Sequence, residues 1–301
     1  MISTLTLPAP AKLNLFLHIT AQREDGYHLL QTVFQLLDYS DEITLDIRQD
    51  GKLKRKKYRN ESNKNFNALN EIPLESDLCV RAAKLLQSHT NSSLGVDITL
   101  NKKLPIGGGI GGGSSDAATV LHGLNLLWDC DLSNQQLADL GLKLGADVPV
   151  FIHGNSAWAE GIGEQLTPMN LPETWFLVIR PDISVSTAEI FSDQGLTRDS
   201  EALTITRFLN DAVFEKQSNV FEIIVKKKYP KIANALEWLS SFSEARLTGT
   251  GSCIFAKFDS EDEANQVLEA LAESSNNWQG FVAKGVNQSP LHKAIAALQK
   301  T

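Results

Sequence analysis

A chain of 301 residues, 42% of them hydrophobic, holds more apolar material than one typical core absorbs, so two domains are expected. A formal charge of −8 argues against nucleic acid as a general partner, and no run approaches the ~18 apolar residues of a membrane span. Cys79, Cys130 and Cys253 are odd in number and far apart, so neither a disulfide framework nor a thiolate metal site follows, and a reducing cytoplasm is the simplest setting. No obligate protein partner is expected.

Residues 5–7 and 13–19 alternate as strands, the second through Leu13, Leu15, Leu17 and Ile19, and the N-terminus lacks the basic start of a signal peptide. A polar turn at 22–26 leads to strands at 32–37 and 42–48. Residues 48–71 carry eight basic side chains against three acidic ones, +5 locally, which leaves −13 for the remainder. Without interleaved aromatics that segment reads as a solvated hairpin and loop, not an RNA- or membrane-binding patch. A helix capped by Asp77 spans 77–86, and a strand at 96–100 follows.

Residues 105–115 are the most informative stretch. Pro105 and Ile106 precede Gly107, Gly108, Gly109, Ile110, Gly111, Gly112 and Gly113, and Ser114 and Ser115 follow. Bare backbone lets a ligand touch amide N–H groups, and the pattern at 116–128 predicts a helix directly behind. A glycine loop feeding a helix N-terminus is a phosphate cradle, because unpaired N–H groups and the helix dipole both favour negative charge. The dinucleotide fingerprint fits poorly, since Asp129 and Asp131 lie beyond the helix end and not on a second strand. The P-loop fits no better, since Gly113 stands where its lysine belongs.

Ser133 caps a short helix, and Pro149 bars its continuation past residues 144–149. Residues 151–164 read as short strands and glycine turns, and 175–179 as a buried strand. Helices at 204–210, 221–228 and 231–242, a strand at 253–258, a helix at 261–272 and a strand at 281–286 complete the chain. That order predicts an α+β fold, a two-domain α/β sandwich with helices on one face.

Three separated motifs resemble the GHMP small-molecule kinase superfamily: Pro10-Ala11-Lys12-Leu13-Asn14-Leu15, the glycine run, and Leu247-Thr248-Gly249-Thr250-Gly251-Ser252. Asp25-Gly26-Tyr27-His28, Leu144-Gly145-Ala146-Asp147-Val148-Pro149 and Lys284-Gly285-Val286-Asn287 narrow the resemblance. They are similar to the members that phosphorylate a cytidine-diphosphate-linked methylerythritol in non-mevalonate isoprenoid biosynthesis. The resemblance runs the length of the chain.

It implies the GHMP kinase fold: an N-terminal domain like ribosomal protein S5 domain 2, with a left-handed βαβ unit, and a ferredoxin-like C-terminal domain. The expected division is 1–160, completed by 284–301, for ATP, and 161–283 on the substrate side. It further implies Asp147 as catalytic base, Lys12 as its partner, and Pro105, the six glycines, Ser114 and Ser115 around ATP. Mg²⁺ accompanies the nucleotide, with Ser115 a candidate ligand and no acid assigned to the metal. Tyr27 and Phe191 have the flat faces to sandwich cytosine, while His28, with one donor and one acceptor when neutral, reads its edge. Asn14, Thr187, Gly249, Thr250 and Gly251 are implied around the rest of the substrate. Two positions depart from the family's pattern: Asp77 stands where an Asn is common, and Val220 replaces an acid, which argues against a catalytic or metal role there. The rival readings are a homoserine, mevalonate or galactose kinase, which would not be expected to carry Tyr27-His28, and a non-catalytic RNA-binding or regulatory protein.

Overall fold

The computed structural model describes residues 3–56, 72–209, 218–274 and 276–300, so most of the basic segment, 57–71, lies outside the described residues. Of its described members, Arg48, Arg55 and Lys56 are ion-paired, to Asp50 and Asp97, to Asp77, and to Asp46.

The first two predicted strands are one, β1 (Thr4–Gln22), and the next two merge as β2 (His28–Arg48). The two pair antiparallel along their length, with register shifts at Pro10/Lys12, Asn14/Leu17 and Ile19/Ala21. Such bulges bend a long ribbon and re-aim side chains, and the first lies at Lys12. From Ala9 to Leu17 every side chain is buried, so this stretch is covered on both faces. A short β3 (Leu53–Arg55), α1 (Leu78–Thr90) and β4 (Gly95–Asn101) form a βαβ crossover, with β3 and β4 parallel. Asp77 caps α1 by accepting from the Cys79 and Val80 amides, and it also receives Arg55, so its carboxylate is committed to structure.

Helix α2 (Gly112–Leu127) starts four residues earlier than its apolar stripe predicts, taking in Gly112, Gly113, Ser114 and Ser115. Ser133 and Gln136 form a capping box on α3 (Asn134–Leu142). Pro149 then opens a new helix, α4 (Val148–His153), because a first-turn proline lacks only an N–H that is unpaired there anyway. This corrects the strand-and-turn reading of 151–164: Phe151 is helical, and only β5 (Ala157–Glu160) and the start of its hairpin partner β6 (Gln165–Pro168) are strands nearby.

The second half contains β7 (Trp175–Arg180), α5 (Thr187–Phe191), α6 (Ile205–Phe208), α7 (Glu222–Lys228), α8 (Pro230–Ser240), β8 (Ala245–Leu247), β9 (Ile254–Phe258), α9 (Glu261–Glu273) and β10 (Gln279–Val286). Its strands lie in the order β10-β7-β9-β8, all antiparallel, the ferredoxin-like arrangement. On β7, Leu177 and Ile179 face α7, α8 and α9, while Phe176 and Val178 join Leu13, Phe16 and Val33 in a core shared with the first half. A third core lies between β2, β4 and helices α1–α4. The last two residues of β10, Gly285 and Val286, pair with Leu37 and Leu36 of β2, joining both halves into one sheet. A closing helix, α10 (Pro290–Leu298), seats Leu291 against Leu5 and Leu7.

Candidate active site

Where β1 passes the glycine loop, the Lys12 amide donates to the Ile110 carbonyl at 3.0 Å. The Lys12 side chain is almost wholly buried, and its Nζ meets Asn14 Oδ1 at 2.7 Å and Asp147 Oδ2 at 3.2 Å, above the Phe34 ring. Asp147 is the residue before α4, yet its carboxylate accepts no capping bond. Pro149 removes one donor that a capping oxygen would use. The carboxylate is therefore free for Lys12, and its side chain stays 36% exposed.

The glycine loop packs against both neighbours with nothing between. Gly111 precedes α2 with φ +73°, and a Cβ there would stand 2.7 Å from the Phe151 ring and 3.1 Å from Lys12 Cγ. Gly109 (φ +75°) touches the third motif backbone to backbone, where a Cβ would strike the Thr248 carbonyl oxygen. No side chain caps α2 and no acid occupies its first turn, so the positive end of a 16-residue helix faces outward uncompensated. Gly107 and Gly113 are exposed, Pro105 and Gly108 are buried, and the Ser114 hydroxyl approaches Gly145 in the turn carrying Asp147. Ser115 Oγ is buried without a hydrogen-bond partner. Gly111→Ala is expected to lower stability by about 1–3 kcal/mol, measured by denaturant melts, and to cut turnover at least about ten-fold.

Residues given no role by the sequence complete this region. Thr248 Oγ1 accepts from the Asn14 amide at 3.0 Å and donates to the Gly109 carbonyl at 3.3 Å, tying the three motifs together. Asn219 Nδ2 donates to the carbonyls of Leu247 and Gly249, and Glu222 accepts from the Leu247 amide. Lys102, two residues before Leu104, sits buried between Asp41 (2.5 Å) and Asp116 (2.8 Å), close to Gly112. Burial opposes its charge, but Asp116 and Asp41 outweigh that and raise its pKa.

Asp116 is the weak member of this triad. Burial, against the pull of Lys102 and helped by repulsion from Asp41, pushes its carboxyl up to about 8. A raised acid favours the folded state below its unfolded value near 4, and that contribution is lost as pH climbs through the folded value. Asp116→Asn is thus expected to flatten the fall of stability between about pH 4 and 8 in denaturant titrations.

A cavity of about 590 Å³ opens beside Asp147, lined by Gln22, Asp25, Tyr27, His28, Phe191 and Ala146 among others. Tyr27 is 60% exposed at its lip, and Phe191 lies 5.1 Å from the His28 ring and 4.8 Å from Phe221. His28 Nε2 accepts from Arg198 Nε at 3.1 Å, which corrects the expectation that its acceptor is free for a ligand. Burial, then the field of Arg198, lowers the His28 pKa, so the ring is neutral near pH 7. Thr187 and Thr250 are joined hydroxyl to hydroxyl at 2.9 Å, beside Gly249 and Gly251. Every implied site residue thus falls into one of three adjoining groups: the lysine–aspartate pair, the glycine loop with the third motif, and the aromatic cavity.

An uncapped helix start behind bare glycines, facing a lysine–carboxylate pair and a separate cavity, is the arrangement of a small-molecule phosphotransferase. The chain belongs to the GHMP kinases: residues 77–155 match the GHMP kinases N terminal domain and 207–277 the GHMP kinases C terminal domain. More particularly, it is 52% identical, over 98% of both chains, to 4-diphosphocytidyl-2-C-methyl-D-erythritol kinase of Nitrosococcus oceani. It is 48% identical to the enzyme of that name from Marinobacter nauticus, over 99% of this chain and 100% of that one. A crystal structure of 4-(cytidine 5'-diphospho)-2C-methyl-D-erythritol kinase superposes with a TM-score of 0.76 at 29% identity, covering 94% of this chain and 100% of that chain. Homoserine kinase from Cytophaga hutchinsonii shares the fold at 14% identity, TM-score 0.70, with 96% and 97% covered.

Proposed function

We propose that the protein transfers the γ-phosphoryl group of ATP to the 2-hydroxyl of 4-diphosphocytidyl-2-C-methyl-D-erythritol, giving the 2-phosphate and ADP in non-mevalonate isoprenoid biosynthesis. The observation that carries this is the position of Lys12 and Asp147, between the glycine loop on one side and the Tyr27–His28–Phe191 cavity on the other. An alcohol held there has a base on one flank and phosphate-binding amides on the other.

In the proposed roles, amides of residues 107–113 and the start of α2 hold the polyphosphate, with Pro105 and Ser114 flanking it. Asp147 orients the attacking hydroxyl and takes its proton as the O–P bond forms and the bond to ADP breaks. Lys12, kept aligned by Asn14, stabilises negative charge on the attacking oxygen and the transferring phosphoryl. Tyr27 and Phe191 stack on cytosine, His28 reads its edge, and Thr187, Gly249, Thr250 and Gly251 position the remainder of the substrate.

The residues present fit Mg²⁺. Ser115 offers a buried hydroxyl oxygen without a partner, and the ion commonly takes few protein ligands beside substrate phosphates. Among the described residues no cluster of three His, Cys, Asp or Glu competes for it. Bound with ATP, Mg²⁺ neutralises phosphate charge. Among the described residues no helix is long and apolar enough to cross a membrane, and with three free thiols the cytoplasm is the proposed setting.

The test is ATP-dependent phosphorylation by one preparation, offered the cytidine-bearing methylerythritol, homoserine and mevalonate in parallel. Product from the first alone is the expected result; turnover of either other alcohol in preference would overturn the assignment.

A further inference from the structure

Arg198 follows α5 in sequence and carries no motif, yet it makes four hydrogen bonds at the cavity. Its Nε donates to His28 Nε2 (3.1 Å), Nη2 to the carbonyls of Phe191 (2.8 Å) and Asp193 (3.0 Å), and Nη1 to that of Leu196 (3.1 Å). One guanidinium therefore holds both the histidine at the start of β2 and the turn that carries the facing aromatic. Its planar fork donates along several fixed directions at once, which an ammonium cannot imitate.

The bond to His28 has a chemical consequence. Arginine only donates, so Nε2 must present its lone pair, and a neutral imidazole then carries its proton on Nδ1. With Nε2 occupied, Nδ1–H is the remaining polar group of the ring, and His28 meets a ligand solely as a donor. A pyrimidine with an unprotonated N3 and a carbonyl O2 presents acceptors along that edge.

We propose that Arg198 is a positioning residue for nucleobase recognition: it locks His28 in the Nδ1–H form and holds the Phe191 turn against it, so that a donor-only ring faces the acceptor edge of the base. The assignment rests on the cytidine reading of the cavity, but its first test does not.

Long-range ¹⁵N NMR of the unliganded protein reads the tautomer of His28 directly, identified by its loss in His28→Gln. A protonated Nδ1 with a bare Nε2 is the expected result, and a protonated Nε2 overturns the proposal whatever the substrate is. In Arg198→Met the ring is expected to shift toward the Nε2–H form. The KM for the cytidine-linked substrate should then rise about ten-fold, one hydrogen bond's worth, with kcat and the KM for ATP within about two-fold. An unchanged tautomer or an unchanged KM in that variant also overturns it. Should the wild type bind no cytidine compound while its His28 carries the proton on Nδ1, the substrate reading fails and the tautomer lock stands.

Discussion

Asp147→Asn is expected to lower kcat by a factor of at least about 10², within the range that general-base groups contribute, while the KM for ATP stays within about two-fold. The expectation follows from where the carboxylate is and from what it does not do. It accepts no bond from the start of α4, so no helix cap is lost when the charge is removed. The substituted amide is nearly the same shape, and Lys12 keeps its 2.7 Å bond to Asn14. Thermal melts should therefore move by no more than about 2–4 °C, the shift of a ~1 kcal/mol change in a chain of this size. Near-normal turnover in this variant would remove Asp147 from the chemistry.

Lys12→Met is expected to cost more, about 10³ in kcat/KM, for a different reason. The ammonium is the buried cation between the glycine loop and the cavity, and its charge is prepaid by folding in a site screened from water. Methionine fills the same volume beside Gly111 and Phe34, so stability should change little, whereas Asp147 and Asn14 lose their shared donor. Lys12→Arg tests geometry against charge: the guanidinium is larger than the ammonium that Asn14 and Asp147 hold at 2.7 and 3.2 Å, and activity should not return. Steady-state kinetics on both variants, with melts as a folding control, checks the pair. Full rescue by arginine would mean that only net charge matters here.

The glycine run was legible because bare backbone ahead of a helix is a local requirement written in consecutive residues, whereas Lys12 and Asp147 were singled out by the resemblance to a family alone. Their adjacency was not local, and only the resemblance to a family supplied it. Asp77, Ser133 and the strand at 175–179 were found from patterns that depend on near neighbours alone. The start of α2 was missed because glycines and serines carry no apolar stripe, although they are the turn proposed to meet the phosphates. The helical Phe151 was missed because Pro149 was read as a stop when it is a start. Thr248 lay inside a quoted motif, yet its role depends on Asn14 and Gly109, 234 and 139 residues away. Arg198 had no signal at all: its partner His28 is 170 residues distant. Lys102 was findable, as a lysine ahead of the glycine loop, but only burial reveals the two carboxylates around it.

The last strand of the sheet also dictates when the molecule becomes whole during synthesis. Val286 supplies the carbonyl that Gln35 and Ser156 both bond, and with Gly285 it pairs with the middle of β2. A nascent chain still short of that point has made its glycine loop and lysine long before, but leaves Leu36 and Leu37 without their β10 partners. Ribosome-bound intermediates must therefore wait until residues 285–286 have emerged before the seam closes, and chaperone demand should persist up to that point.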